Sequence, residues 1–103
     1  MGNPKLVRVT WLKNHGVRVA YAGEPVRFVG PDGELTLRES ALALGTYRLL
    51  LHRMVAKRRL AARKVAGVLR VPMTEVLRLR RAWRATGHPT GRIERPEQRR
   101  ATA

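Results

Sequence analysis

Apolar and polar residues alternate in the first third of the chain, and this period of two predicts strands with one buried face. In segment 5–12 the apolar side is formed by Val7, Val9 and Trp11. In segment 17–22 the apolar side is formed by Val17, Val19 and Tyr21. Asn14 and Gly16 lie between the two segments and are residue types of a tight turn, so the two segments predict a hairpin.

A third short strand and a second turn follow the hairpin. Segment 26–29 is short and largely apolar, and Pro31, Asp32 and Gly33 supply turn chemistry behind it. Residues 1–34 are therefore predicted to form an N-terminal antiparallel β-sheet, as a hairpin or a meander.

The period changes from two to that of a helix at Thr36. Thr36 stands three residues before Glu39, which is the capping-box spacing that satisfies free amides at a helix start. Gly45 ends this helix after about three turns. The residues predicted to face the core from it are Leu37, Ala41 and Leu44.

A second helix is predicted to start at Thr46 or Tyr47, directly after a short turn, and to end at Lys57. Its core-facing residues at helical spacing are Leu51, Met54 and Val55. The period then returns to two, which predicts strands at 63–65 and 68–71 joined by a turn at Ala66 and Gly67 and closed by Pro72.

Thr74 is predicted to cap a third helix over residues 75–86, in which Val76, Leu79 and Trp83 form an apolar stripe. Gly87 ends this helix. The residues from 87 to 103 contain little apolar surface and are predicted to form a mobile basic tail.

The charge of the chain is strongly unbalanced. The formal net charge is +15, with 22 Lys and Arg against 7 Asp and Glu, and no acidic residue occurs between Ser40 and Thr74. Such an excess attracts polyanions, so nucleic acid is the expected partner, ahead of an acidic membrane surface or an acidic protein.

Catalysis, metal binding and membrane insertion find little support in the residue pattern. The chain has no cysteine, and its three histidines are scattered. Its acids fall in turns, caps and the tail, and no Ser or Thr has a plausible base and orienting partner nearby in the predicted fold. We therefore expect no enzyme, no metal and no cofactor. No apolar run approaches a membrane span or a signal peptide, so the expectation is a soluble intracellular protein located in the cytoplasm.

The order of helix, turn, helix, hairpin and helix over residues 35–84 resembles the MerR-like, excisionase-type winged helix-turn-helix family. The residues that carry the resemblance are Leu35, Thr36, Glu39, Ala41, Leu44, Gly45, Leu60, Ala62, Gly67, Arg70, Val71 and Pro72. Four positions depart from the family pattern. Tyr47 replaces a capping Ser, Arg58 replaces a Gly, Ala61 replaces a Pro, and Ser40 replaces an Ala.

The resemblance implies an α+β fold in which a small antiparallel β-sheet precedes a winged helix-turn-helix that binds double-stranded DNA. A helix-turn-helix presents the first turns of its second helix to base edges. In this chain those residues are Tyr47, Arg48, Leu49 and His52. The residues expected to contact phosphates, or the minor groove from the wing, are Arg53, Lys57, Arg58, Arg59, Arg63, Lys64 and Arg70.

The class implied is a small transcription regulator or an architectural recombination factor of excisionase type, which would be a bacterial or phage-encoded, nucleoid-associated protein. It would bind DNA as a homodimer or as a head-to-tail cooperative oligomer. An alternative is a protein-interaction module whose N-terminal sheet binds another protein, such as RNA polymerase or a phage assembly partner. RNA binding through shape and phosphate contacts is a third possibility.

Overall fold

A computed structural model describes residues 4–86, which form an α+β structure with two small antiparallel sheets and three helices. In chain order the elements are β1 (Leu6–Trp11), β2 (Val17–Tyr21), β3 (Arg27–Val29), β4 (Glu34–Thr36), α1 (Leu37–Leu44), α2 (Arg48–Ala56), β5 (Arg63–Val65), β6 (Val68–Pro72) and α3 (Met73–Thr86). Gly87 and the predicted tail lie outside the described residues. No helix within residues 4–86 has the length and apolarity to cross a membrane.

The first sheet has the strand order β1-β2-β3, as the sequence predicts. Val17 and Val19 are fully buried on its inner face. The predicted inward position of Val7 is wrong, because a β-bulge shifts the register between Leu6 and Arg8. Leu6 instead pairs with Tyr21 and packs on the core, while Val7 is 55% exposed.

The predicted turn between β1 and β2 is confirmed. The Asn14 side chain accepts a hydrogen bond from the Gly16 amide at 2.9 Å. His15 takes the left-handed conformation in this turn, with φ of 68°. Gly16 is required for space, because a Cβ atom there would lie 2.5 Å from the carbonyl oxygen of Val29.

The second sheet contains a strand that the sequence analysis did not predict. Its order is β4-β6-β5, so the predicted hairpin of β5 and β6 is confirmed and gains β4 as a third strand. Leu35 of β4 pairs with Val71 of β6, and both side chains are fully buried. Ala66 and Gly67 both have positive φ at the hairpin tip, as is required of a two-residue turn whose twist matches that of the flanking strands.

The start of α1 is confirmed and that of α2 is displaced. Thr36 and Glu39 form both hydrogen bonds of the capping box, and Gly45 ends α1 with φ of 69°. In α2 the first residue is Arg48, after the predicted start, and Tyr47 is the N-cap without a side-chain capping hydrogen bond. The Thr46 hydroxyl is buried and bonds no group within residues 4–86.

The prediction that Thr74 caps α3 is wrong, because α3 begins at Met73, one residue before Thr74. Strand β6 continues directly into this helix. The amide of Met73, its first residue, donates to the carbonyl of Gly33 at 2.9 Å, so a tertiary hydrogen bond replaces the side-chain cap. The predicted stripe is confirmed, since Val76 and Leu79 are buried and Trp83 packs against the core.

Both sheets and all three helices contribute to one hydrophobic core. Val17 and Val19 of the first sheet belong to the same buried cluster as Leu51 of α2. The indole Nε1 of Trp11 donates to the carbonyl of Ala43 in α1 at 2.8 Å, which joins β1 to the end of that helix. The N-terminal sheet is therefore packed into the body that carries α2.

Candidate nucleic-acid interface

The exposed face of α2 has an apolar centre with cations on both sides. With 3.6 residues per turn, Arg48 and His52 fall on one flank, and Arg53 and Lys57 fall on the opposite flank. Leu49 lies in the centre of this face and is 57% exposed. The flank with Arg48 and His52 and the centre with Leu49 carry residues that are predicted to contact bases. The flank with Arg53 and Lys57 carries residues that are predicted to contact phosphates.

A groove of about 590 Å³ runs between α2 and the β5–β6 hairpin. Arg48 and His52 line it from α2, and Lys64 lines it from β5. We call this surface the helix–hairpin groove. It brings two residues predicted to contact bases together with one predicted to contact the backbone from the wing.

The basic residues of the hairpin do not share one face. Lys64 pairs with Leu69, which packs on the core side, whereas Arg63 pairs with Arg70 on the opposite face. Arg63 also forms a two-point ion pair with Glu34, and the Nη2–Oε1 distance is 2.9 Å. These hydrogen bonds from Arg63 lower the pKa of Glu34. The guanidinium of Arg63 is thus already engaged within the protein.

The connection from α2 to β5 is held by α3. The Nη2 atom of Arg78 donates to the carbonyl oxygen of Arg59 at 3.0 Å. Arg78 also bonds Glu75, which accepts the Ala61 amide at 3.0 Å, and these two hydrogen bonds lower the pKa of Glu75. Arg58 adopts a left-handed conformation with φ of 61°. The MerR-like family that this part of the chain resembles has a glycine at this position.

The predicted site residues all lie at the surface. Arg70 is partly buried, and the exposed ones are Tyr47, Arg48, Leu49, His52, Arg53, Lys57, Arg58, Arg59, Arg63 and Lys64. They form three groups. Arg63 and Arg70 lie on the face of the hairpin that points away from the groove, and Arg58 and Arg59 line a separate pocket beside Glu75 and Arg78. The other predicted residues lie in the groove or on the exposed face of α2.

The sequence analysis missed Arg38 as a member of this surface. Arg38 is exposed in the first turn of α1 and lines the helix–hairpin groove beside Arg48 and Lys64. Arg38 stands between Thr36 and Glu39, the two residues of the capping box. An Arg in the first turn of a capped helix, two residues after the N-cap, was the available signal.

Behind the groove, the buried carboxylate of Glu39 joins both parts of the chain. Its Oε2 atom accepts hydrogen bonds from Tyr21 Oη at 2.6 Å and from Arg27 Nη2 at 2.8 Å, and Oε1 accepts the Thr36 amide at 2.9 Å. Burial raises the pKa of Glu39, but these three donors together lower it below its ordinary value. Burial and the bond to Glu39 raise the pKa of Tyr21 to about 12.

Comparisons of the chain with protein-family models, curated proteins and solved structures find no match. Among residues 4–86 there is also no group of three or more His, Cys, Asp or Glu side chains that could hold a metal ion. The best-defined surface in that part of the chain is the exposed face of α2 together with the helix–hairpin groove.

Proposed function

We propose that this protein binds double-stranded DNA, with α2 in the major groove and the β5–β6 hairpin on the adjoining backbone or minor groove. The observation that carries the proposal is the exposed face of α2, where cations border an apolar centre on both sides. A helix about 10–12 Å across fits the major groove of B-form DNA. Arg53 and Lys57 at one edge of the helix then meet the phosphates that border that groove, while Arg48 at the other edge reaches the bases.

In this proposal, residues 35–86 form a winged helix-turn-helix in which β4 is a third strand of the wing. The left-handed conformation of Arg58 supports the resemblance to the MerR-like, excisionase-type family, because a glycine of that family stands at the same place. The turn at Gly45 and the short α1–α2 connection agree with the resemblance as well.

Leu49 and the exposed polar and charged residues in and beside α2 each have a chemical role in the proposal. Arg48 donates two hydrogen bonds to guanine, and Leu49 contacts a thymine methyl group. Tyr47 and His52 bond base edges or phosphates. The cations that contact phosphates are Arg53, Lys57, Arg58 and Arg59, and Lys64 reaches the backbone from the hairpin. Arg63 contributes less to binding than the others, because Glu34 already pairs with it.

These contacts suit a small transcription regulator or an architectural recombination factor. Both classes bind a specific duplex site, and several copies of such proteins commonly bind side by side. The homodimer and the head-to-tail oligomer therefore remain part of the proposal as two arrangements of the same DNA-binding unit.

Selection of duplexes from a random pool at near-physiological salt tests the proposal. We expect one motif to be enriched. Arg48→Ala should then lower the preference for one base pair by about 1–3 kcal/mol. Lys57→Ala should weaken binding to every duplex and reduce the salt slope by about one. The proposal fails if the pool shows no enrichment and neither substitution changes affinity for duplex DNA.

One observation favours a second function, which is protein binding through the first sheet. Phe28 of the edge strand β3 is 67% exposed, and it pairs with Arg18 on the outer face of the sheet. Phe28→Ala should abolish a protein partnership and leave duplex affinity unchanged if this second function is correct. Loss of duplex affinity in Phe28→Ala would assign the outer face to the DNA-binding function instead.

A further inference from the structure

The helix–hairpin groove is built from segments that are far apart in the chain. Arg38 from α1, Arg48 and His52 from α2, and Lys64 from β5 all line it. No acidic side chain within residues 4–86 lines this groove. Its remaining walls include the apolar side chains of Leu37 from α1 and of Val68 and Leu69 from β6.

The N-terminal sheet closes one end of this groove. Pro4 and Tyr21 line it together with Arg38. The hydroxyl of Tyr21 is held by Glu39, and Arg27 neutralises that buried carboxylate at 2.8 Å. The wall behind the groove therefore presents an uncharged phenol, and it does not repel an anion.

We propose that the helix–hairpin groove seats one sugar–phosphate strand of the bound duplex, with Arg38 binding a phosphate and the N-terminal sheet forming the end wall. This inference rests on the proposed DNA-binding function and adds to it a phosphate contact from Arg38 in α1 and an end wall from the N-terminal sheet. A nucleic-acid strand alternates apolar sugars with anionic phosphates, and the groove offers apolar walls and cations in the same way. Arg38 is available for this contact, because it is exposed and forms no ion pair within residues 4–86.

The experiment replaces the phosphates of a selected duplex one at a time with neutral methylphosphonates and measures the affinity of three proteins. These are the unmodified protein, Arg38→Gln and Arg18→Gln. Arg18 is the matched control, since its substitution removes the same charge from the outer face of the first sheet. Equal thermal midpoints of the three proteins show that the fold is retained, and Arg38→Lys is a second variant that keeps the charge.

We expect Arg38→Gln to lose about tenfold in affinity for the unmodified duplex, the effect of one charged hydrogen bond. One methylphosphonate should weaken the unmodified protein and Arg18→Gln by a similar factor, yet barely affect Arg38→Gln. The affinity of Arg38→Lys for the duplex should lie between those of the unmodified protein and Arg38→Gln. Inorganic phosphate at equal ionic strength should not compete with the duplex.

Two outcomes would overturn the groove assignment alone. In the first, Arg38→Gln loses no more affinity than Arg18→Gln, or every methylphosphonate weakens both variants equally. In the second, inorganic phosphate displaces the duplex, which identifies a site for a free anion. DNA binding through α2 stands in both cases, provided that Arg48→Ala still changes base preference. A protein that binds no duplex at all overturns the proposed function and this inference together.

Discussion

The side chain of Glu39 has two structural roles, of which only one is visible in the sequence. Its position three residues after Thr36 indicates a capping box, and that box is present. The same carboxylate is also fully buried and accepts hydrogen bonds from Tyr21 and Arg27, which lie on β2 and β3. One buried charge therefore fixes the first sheet to the start of α1.

We predict that Glu39→Gln lowers the free energy of unfolding at pH 7 by about 2–4 kcal/mol, because Arg27 and Tyr21 lose a charged acceptor. The folded state lowers the pKa of Glu39, so its stabilisation is present above an unfolded pKa of about 4.3 and is lost as pH falls through the folded value. The variant should therefore lose less stability in acid than the unmodified protein.

Urea unfolding at pH 7 and at steps below pH 5 measures both parts of this prediction. Glu24→Gln is the matched control, since Glu24 is exposed and its substitution should leave both curves unchanged. If Glu39→Gln kept the full acid dependence of the unmodified protein, another carboxylate would have to account for it.

At the scale of elements, local pattern predicted β2, α1 and the β5–β6 hairpin well. Local pattern failed where an element is fixed by contacts with residues that are far away in the sequence. Strand β4 has only three residues and lies between a turn and a cap, and its partner β6 is more than 30 residues away, so its own sequence gives no strand signal. The bulge that turns Val7 outward is likewise fixed by pairing with β2.

The residues of the candidate site also divide into those that local pattern predicts and those that it does not. Helical periodicity alone places Arg48, His52, Arg53 and Lys57 on the exposed side of α2. The role of Arg38 depends on how α1, the hairpin and the N-terminal sheet pack together, which no local pattern encodes. The engagement of Arg63 by Glu34 was missed for the same reason, because β4 itself was not predicted.

The second sheet gives a prediction about binding strength. Glu34 holds the guanidinium of Arg63 across the sheet, and removal of its charge frees a cation of the hairpin. Glu34→Gln should therefore raise affinity for duplex DNA by a few fold and steepen the salt dependence by about one. Glu24→Gln removes an acid from the turn between β2 and β3 and serves as the control.

Titration of labelled duplex at several salt concentrations measures this effect. An increase that is the same in Glu34→Gln and Glu24→Gln would reflect net charge alone, and it would contradict a specific role for the Arg63 pair. The ion pair lowers the pKa of Glu34. Acidification below the ordinary carboxyl pKa should protonate Glu34 and weaken the pair, so it should reproduce part of the effect of the substitution.

The whole molecule combines a high positive charge with one shared core. The net charge of +15 favours expansion of the chain, and the core opposes it. Because Val19 of the first sheet and Val76 of α3 lie in the same buried cluster, the sheet and the helices should unfold in one transition. The Tyr21 wall of the groove then has the same stability as α2 itself.

This cooperativity can be tested in a Trp83→Phe background, where fluorescence reports only on Trp11 in β1 and far-UV circular dichroism reports mainly on the helices. Val19→Ala should lower the free energy of unfolding by about 2–3 kcal/mol in both signals, because a fully buried side chain leaves a cavity. Val26→Ala, at a site that is 45% exposed, should change both by less than about 0.5 kcal/mol. A shift of the Trp11 transition alone would mean that the first sheet folds separately, and the groove could not then rely on it as a fixed wall.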